Sequence, residues 1–142
     1  MKNQASAAID FDKAGGVIPV ITQDYASHRV LMLAYMNREA FEETIRTGRA
    51  CYFSRSRNRL WRKGEESGNF QRVREIRLDC DEDTLLLIVD QCGDGAACHV
   101  GYLSDFFRKL DDDEWKVVDQ RIVDPAKYGP GYGHHPAKKP AE

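Results

Sequence analysis

The chain has 142 residues, 42% hydrophobic and 31% charged, enough for one soluble domain with a sizeable core. A net charge of −2 gives no electrostatic case for binding nucleic acid or a membrane surface. No apolar run approaches the roughly 20 residues of a membrane span, and Met1–Ala8 lacks a signal-peptide core, so a cytoplasmic protein is expected.

Residues 1–15 are polar and alanine-rich and read as a flexible N-terminal arm. Val17–Thr22 and Val30–Tyr35 read as two strands joined by a turn at Asp24–Arg29. Asn37 suits a helix N-cap, Ala40, Phe41 and Ile45 share one face of a helix over Arg38–Thr47, and Gly48 stops it. Arg49–Ser54 reads as a third strand, and Ser54–Gly68 as a polar, basic loop. Phe70–Leu78 and Thr84–Gln91 read as long strands joined by an acidic turn. Cys92–Gly101 is a Gly/Ala-rich loop. Ser104–Arg108 and Trp115–Asp119 read as a last hairpin across Asp111–Glu114. Residues 124–142, rich in Pro, Gly and Lys, read as a flexible C-terminal tail. The expected organisation is an arm at 1–15, one domain at 16–123 and a tail at 124–142. Many strands and one clear helix predict a mainly β (α+β) fold with an antiparallel, barrel-like sheet.

The chemistry concentrates in Asp79-Cys80-Asp81-Glu82-Asp83, Cys98-His99 and Asp105. Carboxylate oxygens suit a hard cation such as Mg²⁺. A thiolate and an imidazole suit Zn²⁺. Continued extension from the preceding strand would place Asp79, Asp81 and Asp83 on one face and Cys80 on the other. Alone, the acidic run reads as an Asp-rich turn. The cysteine inside it and the Cys-His pair after the next strand shift the reading toward metal. In a reducing compartment Cys51, Cys80, Cys92 and Cys98 are thiols or ligands rather than disulfides.

Ser54–Gly68 contains Arg55, Arg57, Arg59, Arg62, Lys63, three serines and Trp61. Guanidinium forks and hydroxyls are phosphate-binding chemistry, and Trp61 can stack on a base. The plainer reading is a solvated basic loop anchored by a buried Trp61.

Taken together, Ser54-Arg-Ser-Arg57, Leu60-Trp-Arg-Lys-Gly-Glu65, Ser67-Gly68, Glu75-Ile-Arg-Leu-Asp-Cys-Asp81 with Asp83, and Ala97-Cys-His-Val-Gly101 closely resemble the phosphoribosyl-AMP cyclohydrolase family. The resemblance spans roughly Gly16–Leu110. It implies hydrolytic opening of the adenine ring of phosphoribosyl-AMP at N1–C6, an early step of histidine biosynthesis. It also implies an obligate homodimer with zinc held across the subunit interface, and Mg²⁺ near the substrate phosphates. By resemblance Asp79, Asp81 and Asp83 hold Mg²⁺, and Cys80 and Cys98 hold zinc. His99 is the expected catalytic base or proton shuttle. Arg55, Arg57, Trp61, Lys63 and Ser67 are expected to bind substrate.

The chain departs from the family pattern at one position. Relatives carry a third zinc cysteine seven residues after the second; here that residue is Asp105. Three readings stand open: Cys92 replaces the missing thiolate, Asp105 is itself a ligand, or the site favours a harder ion such as Mn²⁺ or Fe²⁺. The last would make this a paralogue less dependent on zinc. Two further functional readings are a metal- or nucleotide-sensing relative without turnover, and a nucleotide base deaminase. His28, His134 and His135 carry no assignment.

Overall fold

The computed structural model describes residues 3–132. Its centre is a four-stranded sheet of β1 (Ile18–Asp24), β2 (Val30–Met36), β5 (Gln71–Leu78) and β6 (Leu85–Gln91), in the order β2-β1-β6-β5. Strand periodicity forms one dry face: Ile18, Val20 and Thr22 of β1 line up with Met36, Ala34 and Met32 of β2 and are all buried. Leu85, Leu87 and Val89 extend that face across β6. Helix α2 (Arg38–Thr47) and the hairpin β3 (Cys51–Ser54)–β4 (Arg59–Arg62) supply Ala40, Phe41, Cys51 and Tyr52 to the same core.

The sheet is mixed, and the described residues form no closed barrel, against the antiparallel, barrel-like expectation. α2 and β3–β4 intervene between β2 and β5, so the chain returns with β6 beside β1. Those two strands run parallel, Val20 opposite Leu85 through Asp24 opposite Val89. β2 and β5 remain as edges.

Other differences have local causes. The basic loop contains β4, because Leu60 and Trp61 turn toward the core and Trp61 pairs with Tyr52 across β3–β4. The last hairpin is shifted to β7 (Arg108–Asp111) and β8 (Glu114–Val117). Residues before it are committed elsewhere: Ser104 Oγ donates to the Val30 carbonyl at 2.7 Å, Asp105 N–H to that of Leu31 at 2.8 Å, and Phe107 stacks on Tyr102. The stretch expected as a loose arm carries a second helix, α1 (Asn3–Ala7), and a 3₁₀ turn at Phe11–Ala14. Ile9 and Phe11 join the core at 5% and 3% exposure. In the expected tail, Pro125–Tyr128 forms a 3₁₀ turn capped by Asp124; residues 133–142, including His134 and His135, lie outside the described residues.

A buried polar chain ties core to site. Tyr52 Oη donates to Gln71 Oε1 at 2.6 Å and meets Thr22 Oγ1 at 2.8 Å; Gln71 Nε2 donates to Gln91 Oε1, whose amide reaches the Asn69 carbonyl. Tyr52→Phe strands the Gln71 acceptor in the core, so it should lower unfolding free energy by about 1–3 kcal/mol. Urea unfolding measures this; an unchanged midpoint contradicts it.

Candidate active site

Asp79, Asp81 and Asp83 each present an oxygen within 4.8 Å of the others. A turn brings them together rather than strand alternation. Asp79 Oδ1 accepts the N–H groups of Asp83 and Thr84 at 3.0 and 3.1 Å, and Glu82 adopts φ 68° to close the bend. Like charges at this range raise the Asp81 pKa, because Asp79 and Asp83 favour a shared proton. Asp79 moves down: burial opposes its charge, but the two N–H donors and its neighbours outweigh that. Sequence reasoning missed Lys13, which donates to the Asp81 carbonyl at 3.0 Å and sits 3.4 Å from Asp83 Oδ2. Desolvation works against the Lys13 charge, but Asp83 and Asp81 together raise its pKa. A cluster that shares a proton and recruits a lysine has the charge and the oxygens for a hard divalent cation.

The second centre is built around Cys98, buried in the loop after β6. Gly101 N–H donates to the Cys98 carbonyl and Val100 N–H to its sulfur at 3.4 Å, a tight turn that leaves His99 exposed. Asp105 hydrogen-bonds the Cys98 side chain. Burial, then the Asp105 charge, push the Cys98 thiol up to about 11. Although Asp105 as a residue is exposed, crowding around its carboxyl raises its pKa against the pull of Lys63. The Cys98–Asp105 pair offers two donors to a divalent ion. Among the described residues no third His, Cys, Asp or Glu ligand atom joins them within 4.8 Å. Cys92 is half-buried, its sulfur 3.5 Å from the Asp90 carbonyl.

Cys80 stands apart from this pair. It is exposed in the acidic turn, at the Leu85 end of β6. Lys63 bonds Ala97 next to Cys98, Lys63 N–H bonds Ala50, and Ala50 bonds Gln71, which pairs with Gln91 at the other end of β6. The six steps of Leu85–Gln91 at a rise of about 3.3 Å put about 20 Å between those ends. One chain therefore does not bring Cys80 and Cys98 to a single ion, for which sulfur ligands stand about 2.3 Å away.

The basic residues divide as well. Arg55 and Arg57 lie in the β3–β4 turn, with the Arg55 guanidinium 3.8 Å from the Tyr35 ring centre. Trp61 packs 5.1 Å from Tyr52. Lys63, at the far end of that hairpin, donates to the Ala97 carbonyl at 2.5 Å; burial lowers its pKa, opposed by Asp105 and Cys98. Ser67 Oγ accepts the Asn69 N–H. Nearby, Arg49, Arg62, Lys63, Gly64, Gly68 and Phe70 line a cavity of about 280 Å³.

A brace missed in the sequence holds the Cys98 loop. Asn69 Oδ1 accepts Asp94 N–H at 2.7 Å, its amide donates to Tyr128 Oη, and Tyr128 donates to Asp94 Oδ2 at 2.7 Å. Lys127 adds contacts of 2.8 and 2.9 Å to the same carboxylate. Gly93 has no room for a side chain there: a Cβ would stand 2.4 Å from Asn69 Oδ1. Asp124-Pro125, an N-cap followed by proline at N1, was the available sequence signal.

Burial holds the thiols of Cys51 and Cys98 at about 11 against an ordinary 9.0. The folded chain keeps these protons where the unfolded chain releases them. Stability of metal-stripped protein should therefore be full below pH 9 and fall as pH rises toward 11. Thermal melts across that range should fall less steeply for Cys98→Ala; parallel curves contradict the assignment.

Residues 32–107 match the family described as phosphoribosyl-AMP cyclohydrolase. A phosphoribosyl-AMP cyclohydrolase of Nitratidesulfovibrio vulgaris is 56% identical over 116 residues, 82% of this chain and 91% of its own length. One from Oleidesulfovibrio alaskensis is 57% identical over 116 residues, covering 82% and 88%. One from Azotobacter vinelandii is 53% identical over 122 residues, covering 85% and 91%. With its acidic turn and Cys98-His99 inside that matched region or beside it, the chain belongs to the phosphoribosyl-AMP cyclohydrolase family.

Proposed function

We propose that this protein opens the adenine ring of phosphoribosyl-AMP by adding water across N1–C6, the histidine-biosynthesis step its relatives are named for. Similarity to phosphoribosyl-AMP cyclohydrolases over most of the chain carries this reading, and the convergence of Asp79, Asp81 and Asp83 supports it with oxygens suited to a hard cation.

Divalent ions, when bound, supply positive charge that lowers the pKa of nearby water from about 15.7 toward 7. The remaining roles belong to the chain. Asp79, Asp81 and Asp83 would hold Mg²⁺, and Cys98 with Asp105 would supply one side of a second ion's ligands. His99, exposed beside Cys98, accepts the proton from the attacking water and returns it to N1 as the C6–N1 bond breaks. Oxygen is retained on C6 beside its amino group, giving the carboxamide, and no ammonia leaves. Arg55 and Arg57 at one end of β3–β4, and Arg49 and Arg62 around the cavity at the other, suit the two phosphates of the substrate. Lys63 is better placed to balance Asp105 than to reach a phosphate.

The same reading makes the enzyme a homodimer: the distance between Cys80 and Cys98 within a chain is bridged when Cys80 comes from a second subunit. Asp105 in the thiolate's place favours a less zinc-dependent centre that accepts Mn²⁺ or Fe²⁺. No helix among the described residues is long and apolar enough to cross a membrane. Four free thiols suit the cytoplasm.

Metal-stripped protein should regain ring opening with Mg²⁺ plus Mn²⁺, Fe²⁺ or Zn²⁺, with no ammonia formed. Ammonia release would make it a deaminase, and binding without turnover a sensor. Asp105→Cys should tighten zinc binding and narrow the metals accepted; unchanged zinc affinity in chelator competition removes Asp105 from the ligand set.

A further inference from the structure

The segment after β8 stays outside the core yet bonds the Cys98 loop at both ends. No residue of Val118–Tyr128 is buried. Its polar contacts are nonetheless specific. Val118 N–H donates to the Phe107 carbonyl at 2.9 Å, and Arg29 pairs with Asp119 at 2.8 Å. Ile122 and Val123 then both donate backbone N–H groups to the Gly101 carbonyl, at 2.8 and 3.2 Å. Further on, Lys127 and Tyr128 bond the Asp94 carboxylate.

Asp94 and Gly101 bracket the residues that carry the chemistry, Cys98 and His99. Inside that bracket the loop is shaped by bonds of its own: Ala97 N–H to the Leu103 carbonyl and Cys98 N–H to that of Tyr102, both at 3.1 Å. The contacts at Asp94 and Gly101 set where its two ends stand. The fit is close at both. Gly101, at φ 99°, has no room for a side chain, because a Cβ would meet the Val123 carbonyl oxygen. At the other end Tyr128 is the joint. Its hydroxyl accepts from the Asn69 amide at 2.8 Å and donates to Asp94 Oδ2 at 2.7 Å, while Asn69 Oδ1 accepts Asp94 N–H at 2.7 Å. Asn69 itself is buried, which anchors that ring of bonds to the body of the protein. With none of its own residues in the core, the segment adds little to the burial that holds the sheet. Its opening frees the loop and leaves the sheet folded.

We propose that Val118–Tyr128 is a clasp, and that Tyr128 and Asp94 are positioning residues for the family's reaction. They set where Cys98 and His99 stand without touching substrate or metal. The inference rests on the reading of Cys98 and His99 as working residues. Groups that hold metal ligands from behind matter by about 10- to 100-fold in affinity or activity.

The test uses the full, metal-loaded chain and Tyr128→Phe, which keeps the ring against Tyr132 and loses both hydroxyl bonds. The arginines assigned to the phosphates and the acidic turn lie on other elements. For phosphoribosyl-AMP, kcat should therefore fall roughly tenfold while KM stays within about twofold. Asp94→Ala should act alike, and Asp94→Asn, which keeps an acceptor for Tyr128, should recover most of the loss. Amide exchange reads the cause apart from activity. The N–H groups of Ala97 and Cys98 should exchange faster in Tyr128→Phe, and those of Val20 and Leu87 should not. Unchanged exchange in the loop, faster exchange throughout the sheet, or an unchanged kcat each overturns the clasp and leaves the reaction standing. Equal losses in Asp94→Ala and Asp94→Asn overturn it as well. Wild-type protein that does not open the ring overturns the reading beneath it, before any variant is compared.

Discussion

β6 separates the two halves of the chemistry. Its buried residues Leu85, Leu87 and Val89 tie it to β1 on one side and β5 on the other, so it cannot shorten without dismantling the core. The carboxylates sit where the chain enters it, the Cys98 loop where it leaves. The fold thereby places the acidic cluster and the Cys98–Asp105 pair at opposite ends of one strand, too far apart for a single ion. The proposed two-subunit centre rests on that constraint.

Electrostatics at each end have the same form: acids placed together, with a lysine as partial compensation. In the turn, Asp81 moves toward protonation and Lys13 reaches across from the N-terminal segment. At the loop, Asp105 is pushed up and Lys63 faces it. The brace of Asn69, Asp94, Lys127 and Tyr128 holds the Cys98 loop without drawing on Cys98 or Asp105, which hydrogen-bond each other.

Helix α2 was legible because its signals are local: Asn37 caps Ala40 N–H at 2.8 Å and Gly48 ends it at φ 75°. The acidic cluster was legible by composition, though its geometry comes from Asp79 capping the bend, which alternation does not encode. The parallel partnership of β1 and β6 was not legible, since it depends on where α2 and β3–β4 return the chain. β4 was hidden by the arginines flanking Leu60 and Trp61. The contact of Lys63 with Ala97 was not legible, since it spans 34 residues. Ile9 and Phe11, two apolar residues in a polar stretch, gave too short a pattern to mark a packed segment.

The central claim is that Cys80 and Cys98 serve one centre from different subunits. Cys80→Ser and Cys98→Ser chains, each inactive alone, should be mixed after partial unfolding and assayed for ring opening of phosphoribosyl-AMP. Shared centres predict recovery toward roughly a quarter of wild-type activity, because half the reassembled dimers carry one intact site of two. No recovery, with mixed dimers demonstrated by mass, would contradict the account.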